Sequence, residues 1–205
     1  MKYLIKLNLV VVLLGMLFLS GCAQTQLKDL SEVKSDEMVY VVKVSLNPHI
    51  SKEEIRMKSM LTLGVEKDVV YKLFYLKASD TYYTLEAGHS VRDMDDTVVV
   101  VEGDYAFFTW KKDKPLNILG GWFYTSFSSG NIETMMYTID GGVKVSHSNK
   151  ANAVYVGNIT FDRDEFFKIK DVELTQKDLD EAQIAFREKF NSKWNLEKAQ
   201  LSSAK

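Results

Sequence analysis

The sequence predicts a mainly β protein, a β-sandwich with one amphipathic helix near its carboxyl end. Two observations support this prediction. Apolar residues alternate with other residues in several short stretches between residues 38 and 174, which is typical of strands with one buried face. The apolar period becomes helical only over about 179–190. Eight or so strands separated by turn signals favour a sandwich.

The strands are expected in a regular series along the chain. In the first, every second residue is apolar: Met38, Tyr40, Val42, Val44 and Leu46. Asn47-Pro48 ends this strand. Further strands are expected at 69–77, 81–87, 97–110 (with a hinge at Gly103), 132–139, 143–147, 153–161 and 165–174. Asp140-Gly141-Gly142 is a hairpin signal between two of them.

The helix near the carboxyl end has both a start signal and an apolar stripe. Residues 175–178, Thr-Gln-Lys-Asp, form a variant of the capping box. Leu179, Ala182, Phe186 and Phe190 then fall on one helical face, which should pack on the sheet. The tail from 195 to 205 is expected to fray.

The amino-terminal segment has the pattern of a secretory signal peptide. Lys2 and Lys6 precede an almost wholly apolar run over residues 7–19, which is followed by small residues. The run is short for a membrane span, which needs about 20 residues. No charged stop-transfer cluster follows it.

Residues 19–22, Leu-Ser-Gly-Cys, resemble the lipobox of bacterial lipoproteins. The resemblance implies cleavage between Gly21 and Cys22, a diacylglycerol thioether on the Cys22 sulfur and usually a further acyl chain, such as palmitate, on the new amino terminus. The lipid bilayer is then a partner and the cell envelope the location. By the same resemblance, Ala23 at the position after the modified cysteine favours the outer membrane as the location if the host is Gram-negative. An ordinary signal peptide with a chance cysteine is the alternative.

These features divide the chain into four parts: a signal peptide over 1–21, a lipidated amino terminus and tether over 22–36, the β-sandwich and helix over 37–194, and a flexible tail over 195–205. The tether prediction depends on a polar stretch with little apolar pattern. A short amphipathic helix is the alternative there, because Leu27, Leu30 and Val33 have near-helical spacing.

Two short stretches indicate a particular kind of sandwich. VVVEGDYAFF (99–108) is similar to the strand entry of transthyretin-like and carboxypeptidase-regulatory-like sandwiches, with Glu102-Gly103 in place of Pro-Gly. AVYVGNITF (153–161) resembles the YxGxI strand of uncharacterised bacterial lipoproteins with this fold. The resemblance implies a transthyretin-like or immunoglobulin-like sandwich. Many members of that fold group have no known catalytic site.

Composition excludes several functions. The first 21 residues hold two of the 26 basic side chains and none of the 28 acidic ones, so the remaining chain is mildly acidic and lacks the basic stripe of nucleic-acid-binding proteins. It also lacks a polybasic patch, which leaves membrane attachment to the acyl chains. The one cysteine leaves no disulfide once it is acylated.

No motif indicates a metal, a cofactor or catalysis. His49, His89 and His147 are isolated from one another, and no paired zinc-ligand spacing occurs. The segment 89–97 brings His89 together with Asp93, Asp95 and Asp96. It lacks EF-hand spacing, so a solvated acidic loop is the favoured interpretation. Neither G-x-S-x-G nor a phosphate-binding glycine loop is present.

The segment 117–131 is the remaining candidate for binding. Glycines and serines flank its aromatic residues, and strand alternation places Trp122 and Tyr124 on one face. If these two side chains are exposed, they would suit contact with a glycan, a peptide or a partner protein. The alternative is a strand that is covered on both faces. The sequence therefore predicts a non-catalytic envelope lipoprotein with a binding or structural role. The other hypotheses are a glycan- or peptide-binding module and a hydrolase assembled from distant residues.

Overall fold

The computed structural model of the protein describes residues 23–24, 26–49, 74–85, 97–101, 103–126, 132–148, 151–164 and 169–205. For 23–24, 74, 97, 123–126 and 132–136 it describes the backbone alone. The strands are β1 (Ala23–Gln24), β2 (Glu37–Asn47), β3 (Phe74–Ser79), β4 (Thr97–Val101), β5 (Tyr105–Lys111), β6 (Leu116–Ser126), β7 (Ile132–Ser146), β8 (Ala153–Arg163), β9 (Ile169–Thr175), β10 (Leu196–Lys198) and β11 (Gln200–Ser203). The helix α1 spans Leu179–Phe190, and a short 3₁₀ turn spans Leu30–Glu32.

The strands form two sheets that face each other, which confirms the predicted β-sandwich. Sheet A has the order β1-β4-β3-β6-β7-β11. Sheet B has the order β10-β8-β2-β5, and β9 also pairs with β8. The predicted hinge at Gly103 joins β4 of sheet A to β5 of sheet B, and its φ of 63° is one that glycine adopts readily. The two runs around Gly103 therefore belong to opposite sheets.

The main core lies between the sheets. β2 contributes Met38, Tyr40, Val42 and Val44, with Leu46 packed beside them, as the period-two pattern predicted. Leu76 and Ala78 of β3 are among the residues that sheet A contributes to the same core. Val39 and Val41 are also fully buried and belong to a second cluster on the other face of β2. Both faces of β2 are therefore covered.

The helix covers the outer face of sheet B. All four residues of the predicted stripe, Leu179, Ala182, Phe186 and Phe190, pack in the second cluster. Phe186 and Phe190 lie against Phe107 of β5, with ring centroids 6.4 and 5.4 Å from it. Aromatic burial of this kind stabilises the attachment of α1 to the sheet. The predicted helix and its packing face are confirmed.

A bulge in β8 changes which of its side chains face the main core. The register with β2 shifts between Val41 and Val42, so that Tyr155 and Gly157 oppose consecutive β2 residues. Tyr155 therefore faces α1, whereas Ile159 faces the main core. The sequence predicted a single alternation over 153–161. One extra residue at the bulge reverses which face of the sheet the later side chains occupy, and the alternation of apolar residues does not reveal it.

The predicted hairpin at 140–142 is instead an irregularity within one strand. β7 continues from Ile132 to Ser146, and its register with β6 shifts between Ile118 and Gly120. Gly141 and Gly142 have φ values of 74° and 60°. The glycine pair thus lets β7 bulge and continue along the same neighbour, where a two-residue turn would have reversed the chain.

The segment that precedes β2 is packed on the body over residues 26–36, which corrects the predicted tether (22–36) for this described part of it. Leu27 is 6% exposed, and its backbone N–H donates to the Phe107 carbonyl at 2.9 Å. Leu30 and Val33 also pack on the second cluster. These three apolar residues attach an otherwise polar stretch to the body, because each buries apolar surface against the second cluster beside α1.

The carboxyl-terminal residues are also paired, so the predicted fraying of 195–205 is wrong. β10 runs parallel to β8 in sheet B, and β11 runs antiparallel to β7 in sheet A. Leu196 and Ala199 are buried. The last ten residues therefore connect one sheet to the other.

Candidate functional site

The residues of the predicted lipidation site, Gly21 and Cys22, are outside the described residues. Ala23, which follows Cys22 in the sequence, belongs to β1 and pairs with Val98 of β4. In the part of the chain that the structure describes, no helix is long and apolar enough to cross a membrane.

Trp122 is completely buried, which favours the covered-strand interpretation of this residue. It lies on the outer face of sheet A in a third cluster with Leu85 and Leu119, and Tyr75, Tyr82 and Tyr83 pack around the cluster. Its indole N–H has no hydrogen-bond partner among the described residues. Tyr124 lies in β6, and its side chain is outside the described part of the structure.

The two described histidines lie at opposite ends of the sandwich. His49 follows the end of β2 and is exposed, and Arg163 donates to its carbonyl at 2.8 Å. His147 follows the end of β7 and lies edge-on to Tyr40, with ring centroids 6.0 Å apart. His89, Asp93, Asp95 and Asp96 lie outside the described residues, within which no group of three or more potential metal ligands occurs.

The most concentrated polar arrangement lies where α1 meets sheet B, and we call it the junction cluster. It comprises Lys43 and Ser45 of β2, Tyr105 of β5, Tyr155 and Asn158 of β8, and Asp178 and Glu181 at the start of α1. Alternation along β2 puts Lys43 and Ser45 on the face that α1 covers. Lys43 is opposite Tyr105 on one side and Asn158 on the other.

Ion pairs and hydrogen bonds connect most of this cluster. The Lys43 ammonium is 2.8 Å from both Glu181 carboxylate oxygens and 3.9 Å from an Asp178 oxygen. The Asn158 amide donates to Asp178 at 3.3 Å and accepts from the Ser45 hydroxyl at 2.9 Å. Strand β2 and strand β8 are thereby tied to the first turn of the helix.

Asp178 acts differently from the way the sequence predicted. The helix begins at Leu179 with Asp178 as its N-cap residue, but the Asp178 side chain makes no capping hydrogen bond. Thr175, the expected cap, lies in β9. The Asp178 carboxylate binds Asn158 and Lys43 instead, and its negative charge still lies favourably at the helix amino terminus. The capping-box prediction is therefore wrong.

Two tyrosine hydroxyls point into the same region. The Tyr105 and Tyr155 hydroxyls are buried and have no hydrogen-bond partner among the described residues. Burial raises the pKa of both hydroxyls, and the carboxylates of Asp178 and Glu181 raise each pKa further. The Tyr105 hydroxyl lies close to Glu181 but outside hydrogen-bond geometry. Both phenols therefore remain protonated donors at physiological pH.

The junction cluster is suited to holding α1 in place. Lys43 is largely covered, with 15% of its side chain exposed, whereas 59% of the Glu181 side chain is exposed. An ion pair with one exposed partner contributes about 1 kcal/mol or less. Sequence analysis missed this cluster because its members come from four separate elements, and the β8 bulge alone brings Tyr155 and Asn158 to one face.

A second feature is an open groove of about 420 Å³ between β7 and β9. Its apolar lining is Tyr137, Ile139, Ile169 and Val172, and its polar lining is Thr138, Asp140, Lys170 and Asp171. The groove residues of β7 precede the stretch that pairs with β11, and β9 lies at an edge of sheet B, where it pairs with β8. The volume of the groove is in the range of small-molecule and peptide side-chain pockets. No sequence motif marks it, because each strand contributes only its ordinary alternation.

In comparisons with known proteins, no protein family model, curated protein or solved structure matches the chain.

Proposed function

We propose that the protein is a membrane-anchored lipoprotein of the cell envelope with a non-catalytic binding or structural role. The observation that carries the proposal is the run Leu19-Ser20-Gly21-Cys22 behind a positively charged start and an apolar stretch. A thioether requires the Cys22 thiolate, and two or three acyl chains on one residue give stable membrane attachment where one chain gives only marginal binding. The outer membrane is the favoured address in a Gram-negative host.

The packing of the chain after Cys22 supports the proposal. A lipid-anchored domain must fold once its signal segment has been removed. The described residues from Gln26 onward form three hydrophobic clusters within two sheets, as such a domain requires.

The test compares the full-length chain with Cys22→Ser during growth with radiolabelled palmitate. We expect label on the mature wild-type protein, sedimentation with membranes, and loss of both in Cys22→Ser. Ser20→Ala is the matched control, because it keeps a small residue at position 20 and leaves the thiol. A Cys22→Ser protein that still sediments with membranes at the wild-type size would refute the proposal.

Within this proposal, the groove between β7 and β9 favours a binding role, with an envelope peptide, protein or glycan as partner. Its lining of four apolar and four polar residues offers a partner both apolar contact and hydrogen-bonding groups. In-cell crosslinking followed by mass spectrometry would compare wild type with Asp140→Trp, which places a large side chain at an exposed position that lines the groove. Lys144→Trp, an exposed position elsewhere on β7, is the control. A partner lost only from Asp140→Trp supports binding in the groove; identical partners in all three proteins contradict it.

A further inference from the structure

Two strand edges border the groove between β7 and β9. β11 pairs with β7 over residues 143–146, and no described strand lies beside the groove residues 137–140 on the side away from β6. β9 pairs with β8, and no other described strand pairs with it. Within the described part of the chain, the groove is therefore bordered by two edges that could each accept a further strand.

The outer edge of β9 presents the backbone groups of Val172 and Leu174. The Thr175 carbonyl oxygen points at β8, where it lies against Gly157. Since the backbone groups of successive residues alternate between the two edges of an antiparallel strand, those of Val172 and Leu174 point away from β8. In agreement with this, the Val172 N–H donates to the Asp171 carboxylate at 2.8 Å. An incoming strand would replace that exposed carboxylate as the acceptor.

The chain's own carboxyl-terminal segment shows what kind of strand adds to these edges. β10 adds to residues 153–155 of β8, and β11 adds to residues 143–146 of β7. In this segment Leu196 and Ala199 are buried and Leu201 packs on the main core, whereas the residues between them are exposed. β9 lies on the same side of β8 as β10, because β2 pairs with the other side. The groove thus continues edges that already bind an extended segment with apolar residues inward.

The described charges around the groove are mainly acidic. Five acidic side chains line it or lie beside it: Asp140, Asp162, Asp164, Asp171 and Glu173. The basic side chains there are Lys170, Arg163 and Lys205. Lys170 is 3.9 Å from Asp164, and Arg163 is buried and donates to the carbonyls of Pro48 and His49. The excess of negative charge favours a basic partner.

Resting on the proposed binding role of this groove, we infer that its occupant is an extended basic peptide segment that adds to sheet B as a strand beside β9. Every second side chain of an added strand would point between the sheets, toward Tyr137, Ile139 and Val172. The other side chains would lie on the outer face, beside Asp171 and Glu173. The matching segment has apolar residues that alternate with Lys or Arg.

A second copy of this chain fits the edge less well than such a peptide. Pairing of β9 with β9 of another copy would bring the Asp171 and Glu173 carboxylates of both copies together, and like charges on neighbouring strands are destabilising. A basic segment places opposite charges at the same positions.

The probe is a phage-displayed library of random short peptides, panned on the full-length lipoprotein in detergent micelles. We expect enrichment of peptides in which Lys or Arg alternates with apolar residues and from which proline is absent. A synthetic copy of the most enriched peptide should protect residues 169–175 from hydrogen exchange. No enrichment, enriched peptides without this alternation, or unchanged exchange over 169–175 would overturn the inference.

Val172→Pro tests the backbone contact directly, because proline lacks the outward N–H and leaves the bonds to β8 unchanged. Val172→Ile is the matched control and keeps the N–H. We expect the synthetic peptide to bind Val172→Pro at least about fivefold more weakly than wild type and to bind Val172→Ile as wild type. Equal affinities would overturn strand addition at β9. Circular dichroism and thermal melting establish that each variant is folded.

Charge reversal tests the partner's charge without altering the backbone. Glu173→Lys should weaken peptide binding several-fold, whereas Asp113→Lys, at an exposed position between β5 and β6, should leave it unchanged. Equal affinities for these two variants would overturn the basic partner.

The outcomes also separate this inference from the proposed function. A crosslinked partner that Asp140→Trp loses but Val172→Pro and Glu173→Lys keep would overturn strand addition and leave the binding role of the groove intact. A lipoprotein dimer that Val172→Pro dissociates would assign the edge to a second copy and overturn the peptide. Absence of palmitate on Cys22 would overturn the anchoring alone.

Discussion

Gly157 of β8 lies so close to Thr175 of β9 that a Cβ atom on Gly157 would come within 2.6 Å of the Thr175 carbonyl oxygen. Its φ of 148° is also one that other residues rarely adopt. Gly157 lies at the β8 bulge, and the close approach comes from the pairing of β8 with β9, in which Thr175 is opposite the next residue, Asn158. The glycine of the YxGxI pattern therefore has a structural role.

Gly157→Ala should lower the free energy of unfolding by at least about 2 kcal/mol, because backbone strain and the contact with β9 add together. Urea denaturation measures this change. Gly103→Ala is the matched control: Gly103 has a φ of 63°, but a Cβ there meets nothing within 4 Å. It should cost only about 1 kcal/mol. Equal costs would show that the close approach of β9 is unimportant.

Trp122→Ala should lower the free energy of unfolding by about 3–5 kcal/mol, the usual cost of removing a large buried aromatic side chain. The physical reason is the cavity left among Leu85, Leu119 and the surrounding tyrosines. Thermal melting and urea denaturation measure the loss. Trp194→Ala, at a partly buried indole near α1, should cost less. A Trp122→Ala protein with wild-type stability would return Trp122 to the candidates for ligand contact.

The sequence was sufficient to predict the buried face of an element wherever one periodicity held along the whole element. The alternation in β2 and the stripe of α1 each predicted the buried face correctly, because a regular strand or helix repeats the same orientation. The predictions failed where the backbone departs from regularity. Val156 is an extra residue in β8, and its apolar side chain fits a regular alternation equally well. The Gly141-Gly142 pair lies in an irregularity of β7, and the same two residues are also typical of a hairpin turn.

The junction cluster could not be predicted for a related reason. Lys43, Tyr105 and Glu181 are far apart in the sequence, and each alone is an ordinary surface residue. Their proximity depends on the pairing of β2 with both β5 and β8 and on the position of α1. Asp178 illustrates the difference: locally it completes a capping box, but tertiary contacts with Asn158 and Lys43 determine where its carboxylate lies.

Leu27→Ala should destabilise the body by about 2–3 kcal/mol, because Leu27 is buried in the second cluster. A free tether would predict no change. Lys28→Ala, at the neighbouring exposed position, is the control and should stay within about 0.5 kcal/mol of wild type. Urea denaturation of the chain from Ala23 onward measures both variants. Equal stabilities for Leu27→Ala and Lys28→Ala would show that this segment contributes nothing to folding.

Leu196→Ala should likewise cost about 2–3 kcal/mol, since Leu196 is 6% exposed and packs in the second cluster. Glu197 follows it in β10 and is exposed, so Glu197→Ala is the matched control and should change stability little. Limited proteolysis adds a second measurement: Leu196→Ala should release the carboxyl-terminal residues faster than wild type. Rapid cleavage of the wild-type tail would contradict the pairing of β10 and β11.

Alkaline pH should destabilise the protein through its buried tyrosines. Burial raises the pKa of Tyr40 to about 12, and burial also raises the pKa values of Tyr105, Tyr137 and Tyr155. Between pH 10 and about 12 the unfolded chain loses protons that the folded chain keeps. The stabilising contribution of each such tyrosine is therefore fully present below pH 10 and is lost as the pH rises.

Tyr40→Phe isolates one of these groups. The Tyr40 hydroxyl is buried without a hydrogen-bond partner among the described residues, and the ring stacks on Phe108 at 5.7 Å, a contact that phenylalanine keeps. At pH 7 the variant should match or exceed wild-type stability, by up to about 1 kcal/mol. Above pH 10 its free energy of unfolding should fall less steeply, by up to about 1.4 kcal/mol per pH unit. Denaturant titrations at pH 7, 10 and 11 measure both effects. Parallel curves for the two proteins would mean that Tyr40 ionises as readily in the folded chain as in the unfolded one.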